Sequence, residues 1–318
     1  MSILIMNLKK IFFLFLGLAV CYPMGAAKKK APDPEEVLQQ GREAFLNYDF
    51  DEAADLYDQY KALMTKAKQP FFEEFDIWES ELDVASNAFE RVQKIVIIDS
   101  ISVKKGDFFK AYRLSPSTGE IGLAKNLSSI SESGVRELAF LNERKDFLIT
   151  AQPGSEGDLR LYEHYKLLDG SWESMESLSG TFEKSGDYGF PFMAADGQTL
   201  YFANNGEGSM GGYDIFVAQR DPLTGEYLQP LNLGMPFNSP YDDLMMVIDE
   251  ERGLGWWATD RNSEDGKIDV YVYLIEDIRK NYPEDTENLT DYAKITNYKD
   301  TWEPGKDAEY KSRLKVIR

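Results

Sequence analysis

The sequence predicts an α plus all-β protein in which a helical module precedes a β-rich region and a short helical tail ends the chain. Apolar residues recur at three- and four-residue steps up to about Val92 and then at every second residue, which are the periods of a helix face and of a strand. Strand-like runs after that point also repeat at intervals of 52 to 56 residues. The predicted segments are 1–27 for an export signal, 32–92 for the helices, 93–277 for the sheets and 278–318 for the tail.

The N-terminal segment has the composition of a cleaved export signal. Two lysines precede an unbroken apolar run of eleven residues at 11–21, which is too short to favour a permanent transmembrane helix. Small residues at 25–27 fit a signal peptidase, with cleavage after Ala27. The alternatives are a retained signal anchor and a lipoprotein, since Cys21 ends a segment that resembles a lipobox. Membrane anchoring is expected only if Cys21 is lipidated.

Three amphipathic helices are predicted within 32–92. Pro34 lies in the first turn of the first helix, 47–49 form the turn to the second helix, and Pro70 begins the third. Apolar residues of the third helix follow one another at steps of four and three: Phe71, Phe75, Trp78, Leu82, Ala85, Phe89 and Val92. We expect this stripe to pack against both the helical hairpin and the β-rich region.

The first two helices carry a recognisable spacing of small and aromatic residues. Gly41 and Ala53 lie where two helices would approach closely, and Tyr57 follows at an aromatic position. This spacing resembles one tetratricopeptide unit of about 34 residues. The resemblance implies a helical hairpin, with a peptide-binding groove as the functional alternative to a purely structural role.

Three strand-like runs of the β-rich region align with one another. Their matching alanines lie 52 and 55 residues apart: Ala151, Ala203 and Ala258. Each run is followed by a polar loop and a second strand, and the aspartates that mark this second strand lie 56 and 55 residues apart: Asp158, Asp214 and Asp269. An upstream half-unit is also predicted, because 106–109 resembles 213–216.

Short antiparallel strands repeated at this interval are typical of β-propeller blades. The length of the β-rich region predicts about four blades, one of them incomplete and the outer ones degenerate. The alternative is a pair of stacked antiparallel sheets with coincidental spacing. Asp196 and Gly197 predict a two-residue type I′ turn within the best-preserved unit, and Asp214 is expected to bond backbone in the neighbouring loop.

The best-preserved unit, 190–216, carries Ala-Ala-Asp-Gly before one strand and Gly-Gly-Tyr-Asp before the next. It resembles the WD40-like or PD40 repeat of TolB-type propellers. The resemblance implies a propeller whose repeat-defining residues are Asp196, Gly197 and Asp214, with Asp158 and Asp269 at the corresponding positions of the flanking units.

Composition argues against several kinds of site. A net charge of −20 without a local basic patch argues against nucleic-acid binding. With one Cys and one His, His164, the chain lacks the ligands of a conventional zinc centre, so no catalytic residue, cofactor or metal is predicted. His164 is expected at an edge or surface. The Gly-rich run 206–211 has the letters of a dinucleotide fingerprint, but a strand is predicted after it where that fold needs a helix.

Both halves of this predicted architecture are interaction folds. The two resemblances imply an exported, non-enzymatic scaffold of the Gram-negative envelope, periplasmic or associated with the outer membrane, that binds protein partners as an accessory factor of an outer-membrane, secretion or gliding assembly. Trp256 and Trp257 are the candidate interaction residues. One alternative is a carbohydrate-active or hydrolytic propeller that uses channel carboxylates with these tryptophans as sugar platforms. Another is a ligand-binding surface lipoprotein anchored through Cys21.

Overall fold

The segments with helical periodicity form three α-helices in a computed structural model that describes residues 32–128, 138–154, 157–178, 182 and 185–317. The helices are α1 (Pro34–Leu46), α2 (Phe50–Ala67) and α3 (Phe75–Phe89). The predicted helical hairpin and third helix are thus confirmed. The predicted start of α3 at Pro70 is wrong, because the helix begins at Phe75 and leaves Phe71 outside it.

α1 and α2 approach each other closely at Gly41. A Cβ atom built on this glycine would lie 2.7 Å from the Tyr57 ring and 3.3 Å from Cβ of Leu56. Real Cβ atoms do not approach other atoms as closely as the first of these distances, so the crossing requires a residue without a side chain. The prediction that Gly41 permits close helix approach is confirmed.

The buried faces of the three helices form one core with residues from much later in the chain. Tyr57 packs edge-on against Phe75, with ring centroids 5.5 Å apart, and the same cluster includes Met210, Met235 and Ala293. The α3 stripe therefore buries itself against both the hairpin and the β-rich region, as its spacing predicts.

The β-rich region forms three antiparallel sheets of four or five strands. The first contains β2 (Glu120–Leu123), β3 (Leu138–Leu141), β4 (Phe147–Pro153), β5 (Leu159–Lys166) and β6 (Trp172–Ser177). The second contains β7 (Tyr188–Met193), β8 (Thr199–Asn204), β9 (Asp214–Gln219) and β10 (Leu231–Asn232). The third contains β11 (Asp243–Asp249), β12 (Leu254–Thr259), β13 (Lys267–Leu274) and, beside β13, β1 (Ile97–Lys104). The chain is accordingly a mixed α/β protein.

The repeat seen in the sequence corresponds to these sheets. Each repeat alanine is fully buried on an interior strand, and the strands concerned are β4, β8 and β12. The pairing partners of Ala151, Ala203 and Ala258 are Leu161, Ile215 and Val270. Small buried residues thus recur at one position of each sheet, where neighbouring elements pack closely.

The repeat aspartates are equivalent in two sheets only. Asp214 and Asp269 each immediately precede the residue that pairs with the repeat alanine. Asp158 stands three residues before Leu161, outside β5. Its predicted equivalence is wrong, because equal spacing in the sequence does not show at which residue the loop ends and the strand begins.

The third sheet is completed by a strand from the beginning of the β-rich region. β1 pairs antiparallel with β13, from Ile97 opposite Tyr273 to Lys104 opposite Lys267. β7 of the second sheet contacts β3, β4 and β5 of the first sheet, and β11 of the third sheet contacts β7, β8 and β9 of the second. One hydrophobic core includes residues of all three sheets.

The predicted upstream half-unit is wrong. Lys105–Ala111 form a 3-10 helix instead of the strand that the likeness to 213–216 predicted. Phe108 and Ala111 are the buried residues of this helix, a three-residue spacing that matches a 3-10 turn and not a strand. A second 3-10 turn, Pro116–Thr118, precedes β2, and α4 (Ala124–Leu127) follows it.

The predicted helical tail is confirmed by α5 (Leu289–Lys294) and α6 (Asp307–Arg313). Between them, the tail closes over the start of β1. Thr301 Oγ1 accepts a hydrogen bond from the Ile97 N–H at 3.0 Å, and Trp302 Nε1 donates to the Ile97 carbonyl at 2.6 Å. Pro34–Arg318 form a single compact unit. Within the part of the chain that the structure describes, no helix combines the length and apolar character needed to cross a bilayer.

Candidate functional site

The residues singled out in the sequence do not gather in one place. Cys21 and the predicted export signal lie outside the described residues. Asp158 lies beside β5, where it pairs with Arg160, and Asp269 is a half-buried residue of β13. The repeat-defining aspartates are therefore separate structural features of their own sheets.

The turn at Asp196 and Gly197 is longer than predicted. The Ala194 N–H donates to the Thr199 carbonyl at 2.9 Å, and the Gly197 N–H donates to the Ala194 carbonyl at 3.0 Å. Gly197 has a φ of 65°, but Asp196 does not have a positive φ, so the predicted type I′ geometry is wrong. Asp196 instead caps the turn, since its Oδ1 accepts the N–H groups of Gln198 and Thr199, each at 2.8 Å.

Trp256 and Trp257 lie in the core and not on a surface. Both side chains are fully buried on β12, an interior strand with both faces covered. Trp256 stacks on Tyr112 with ring centroids 5.6 Å apart, and Trp257 meets Phe237 edge-on at 5.3 Å. The predicted interaction role of these tryptophans is wrong, and the carbohydrate alternative loses its sugar platforms.

Asp214 is the most deeply buried of the repeat aspartates. Its Oδ2 accepts from the Met210 N–H at 3.0 Å and from Asn232 Nδ2 at 2.6 Å. The predicted bond to the neighbouring loop is thus confirmed. Oδ1 has no partner among the described residues. Burial, followed by the nearby Asp243 charge, raises the pKa of Asp214 well above its usual value.

A buried arginine joins the second and third sheets to the tail. Arg261 donates to Asp243 Oδ1 at 2.6 Å, to the Pro236 carbonyl at 2.7 Å and to the Phe237 carbonyl at 2.8 Å. It also donates to the Ala293 carbonyl of α5 at 3.1 Å. Almost all of the guanidinium N–H groups donate to acceptors within the protein. Arg261 therefore has a structural role and is not a ligand-binding group.

A lysine of the protein pairs with carboxylates at and beside the acidic loop that follows β12. Lys105 Nζ lies 2.6 Å from Asp242 Oδ2 and 3.1 Å from Asp260 Oδ2. An ammonium group therefore lies between two carboxylates that could otherwise attract a cation. Across the described ranges, no group of three or more His, Cys, Asp or Glu side chains could hold a metal ion.

The single imidazole of the chain is buried, so the expected edge or surface position of His164 is wrong. His164 is 1% exposed, with Nε2 2.8 Å from Thr150 Oγ1 and Nδ1 2.8 Å from Ser174 Oγ. Burial lowers its pKa to about 4. The ring is therefore neutral at neutral pH and held between two hydroxyls inside the first sheet.

The glycine-rich loop 206–211 allows close packing of the backbone. A Cβ atom on Gly206 would lie 1.7 Å from the Ser185 carbonyl oxygen, so no larger residue fits there. β9 follows the loop, as the sequence predicts, and no helix N-terminus is present to hold a pyrophosphate.

Three large apolar side chains remain exposed where α2 passes into α3, and we call Phe71, Phe72 and Ile77 the corner patch. They are 43%, 40% and 58% exposed. The Phe72 N–H donates to the Tyr60 hydroxyl at 2.8 Å, so the segment before α3 is fixed by a hydrogen bond. Sequence reasoning missed this patch because it assigned Phe71 to the buried stripe.

The rings of the corner patch are held by neighbouring aromatics. The Phe71 ring centroid lies 5.7 Å from that of Phe75, and the Phe72 centroid lies 5.3 Å from that of Trp78. Exposed carboxylates lie between the patch residues in the sequence: Glu73, Glu74 and Asp76. The segment therefore combines ordered apolar side chains with negative charge.

Comparison with known proteins found no matching protein family, no similar curated protein and no similar solved structure.

Proposed function

We propose that the three sheets are blades of a small β-propeller of the PD40 type, with the two 3-10 segments within 105–118 in the place of a degenerate fourth blade. The support is the repeat itself: each sheet contains consecutive antiparallel strands, and each carries its repeat alanine on an interior strand. Addition of β1 to the sheet of β13 links the two ends of the β-rich region. In this proposal the tetratricopeptide-like hairpin is an attached helical module.

We further propose that the chain is an exported, non-enzymatic scaffold of the Gram-negative envelope that binds a protein partner. The observation that carries this proposal is the corner patch. Phe71 and Phe72 expose about two-fifths of their surfaces although the fold holds both rings in place. Aromatic residues that are already ordered make effective interface anchors, since little conformational entropy is lost when a partner covers them.

The charge around the corner patch indicates the kind of partner. Carboxylates at 73, 74 and 76 border it, and the chain as a whole carries a net charge of −20. A complementary surface would present an apolar centre with Lys or Arg at its rim, because opposite potentials favour the encounter and like charges oppose it. The proposed partner is thus a protein with a basic-rimmed apolar surface.

The proposed envelope location rests on the N-terminal pattern of two lysines, an apolar run and small residues at 25–27. Fractionation of cells that express the full chain should place it in the periplasm or with the outer membrane. Labelled fatty acid should not be incorporated, and a Cys21→Ser variant should fractionate like the wild type. Retention in the cytoplasm would contradict the proposal.

The scaffold proposal is tested by crosslinking in intact envelopes. A photoreactive amino acid at Ile77 should give a discrete adduct of reproducible mass. The double substitution Phe71→Ser and Phe72→Ser should abolish this adduct while leaving the circular dichroism spectrum unchanged. Leu168→Ser is the matched control, because this leucine is fully exposed at the β5–β6 turn, and it should keep the adduct. An adduct that survives the double substitution, or no adduct at all, would count against the patch as the binding site.

A further inference from the structure

A cavity of about 480 Å³ lies between α3, the loop after β10 and the segment after β13. Its wall includes two arginines and three asparagines: Asn87, Arg91, Asn232, Arg279 and Asn281. A volume of this size is typical of sites for small ligands. The cavity shares no lining residue with the corner patch, so a ligand site here is independent of the proposed scaffold role.

Backbone pairing concentrates positive charge beside this cavity. Gln93 forms an isolated antiparallel bridge with Asn281, and the Lys94 N–H donates to the Lys280 carbonyl at 2.7 Å. The two paired segments carry four basic residues: Arg91, Lys94, Arg279 and Lys280. This is a local positive cluster in a chain whose net charge is −20.

The two arginines of the cavity lack a carboxylate partner within the described ranges. Lys280 pairs with Glu276 at 3.4 Å, whereas neither Arg91 nor Arg279 takes part in an ion pair there. Arg279 Nη2 donates to the Leu233 carbonyl at 3.3 Å, a neutral acceptor. Both arginines are exposed and line the same cavity. Partial burial, followed by the charge of Arg91, lowers the pKa of Arg279, as expected for two like charges that face one cavity.

We propose that this cavity binds a small dianion of the phosphate or phosphomonoester class, with Arg91 and Arg279 as its two cationic ligands. Guanidinium groups recognise such anions through paired N–H donors and resist deprotonation. A dianion matches the two charges, whereas a monocarboxylate would leave one of them uncompensated.

Two further features suit the site to an anion. Asn281 lines the cavity, and its exposed side chain can donate an amide N–H to the ligand. Gly234 lies at the wall with a φ of 71°, a backbone conformation that favours glycine, and a Cβ atom built on it would lie in ordinary contact with Arg279 Nη2 at 3.9 Å. The loop after β10 therefore places its backbone next to the guanidinium.

The test titrates the full exported chain with inorganic phosphate by isothermal calorimetry at low ionic strength. We expect saturable one-to-one binding, and a rise in Tm with phosphate concentration. Arg91→Gln and Arg279→Gln should each weaken binding at least about tenfold, the effect of losing a charge-assisted hydrogen bond. Arg144→Gln, which removes an exposed arginine of the β3–β4 turn, should change the affinity by less than about twofold.

Several results would overturn the assignment. These are an absence of saturable phosphate binding, equal binding by the wild type and both cavity variants, or acetate binding as tightly as phosphate. Circular dichroism checks that each variant is folded, and Arg279→Lys offers a milder change if Arg279→Gln is not. Glycerol 3-phosphate and vesicles that contain phosphatidic acid then separate a soluble phosphomonoester from a lipid headgroup, and arginine-dependent binding of either supports the site.

Discussion

At the scale of single residues, His164 offers a direct measure of burial because it is the one histidine of the chain. Its pKa of about 4 lies below the usual imidazole value of 6.5. The unfolded chain therefore binds more protons than the folded chain between these values, and the contribution of His164 to stability is lost as the pH falls through that window. NMR of the imidazole should show a titration midpoint near 4, and a midpoint near 6.5 would contradict the buried position.

The NMR midpoint is a better measure here than the pH dependence of unfolding. Burial raises the pKa of Asp214, so this carboxyl binds protons more readily in the folded chain. Its contribution to stability decreases as the pH rises above the usual carboxyl range. The effects of Asp214 and His164 on the free energy of unfolding have opposite signs, and only a site-specific probe separates them.

A second residue-scale prediction concerns Gly41. Gly41→Ala should destabilise the protein by up to about 2 kcal/mol, because overpacking of about 1–3 kcal/mol against the Tyr57 ring offsets the gain in helix propensity of about 1 kcal/mol. Urea unfolding measures the change. Gly106→Ala is the control, since a Cβ atom there would meet nothing within 4 Å. A stabilised Gly41→Ala variant would show that α1 and α2 can move apart without cost.

At the scale of elements, the tail holds the first strand of the β-rich region. Trp302→Phe removes the Nε1 hydrogen bond to Ile97 while keeping an aromatic ring. We expect a loss of about 1 kcal/mol of stability and faster amide hydrogen exchange in β1. Trp172→Phe, on the outer strand β6, should leave exchange in β1 unchanged. Equal exchange in the Trp302 variant and the wild type would mean that the Trp302 hydrogen bond does not help to hold β1.

The sequence predicted the kind of each long element better than its limits. Helix and strand periods identified α1, α2, α3 and the strands around the repeat alanines, because those patterns reflect which faces are buried. The start of α3 was misplaced because Phe71 continues the apolar spacing although the chain is not yet helical. The strand predicted at 106–109 failed because a four-residue likeness cannot tell a strand from a 3-10 turn.

The candidate sites were less predictable than the elements, and the reason is geometric. Trp256 and Trp257 point to opposite faces of β12, as neighbours on a strand must, and a sequence does not state that both faces are covered. Arg91 and Arg279 lie almost two hundred residues apart in the chain. Only the pairing of 93–94 with 280–281 brings them to one cavity.

At the scale of the whole molecule, Arg261 should contribute more to stability than other arginines. Arg261→Met leaves Asp243 buried without its partner and should cost about 3–5 kcal/mol, as measured by urea unfolding. Arg144→Met is the control, since the ion pair of Arg144 with Asp146 at 3.4 Å is exposed on both sides, and its effect should be about 1 kcal/mol or less. Similar losses in both variants would show that the buried Arg261 ion pair contributes no more to stability than an exposed one.

The shared packing of helices and sheets predicts cooperative unfolding. Met210 and Met235 complete the core of the helical module, and Pro34–Arg318 form one compact unit. Urea transitions followed by helical circular dichroism and by tryptophan fluorescence should therefore coincide. A helical transition at lower urea than the fluorescence transition would show that the helices unfold independently.

The pairing of β1 with β13 also has a consequence for how the chain acquires its structure. Ile97 meets Tyr273 across 176 residues of sequence, so the third sheet stays incomplete until nearly the whole β-rich region has been synthesised. Contacts of such long range slow folding, because the entropy of loop closure is lost before the contact forms. The chain should accordingly remain open during synthesis, which is the state that the proposed export would require.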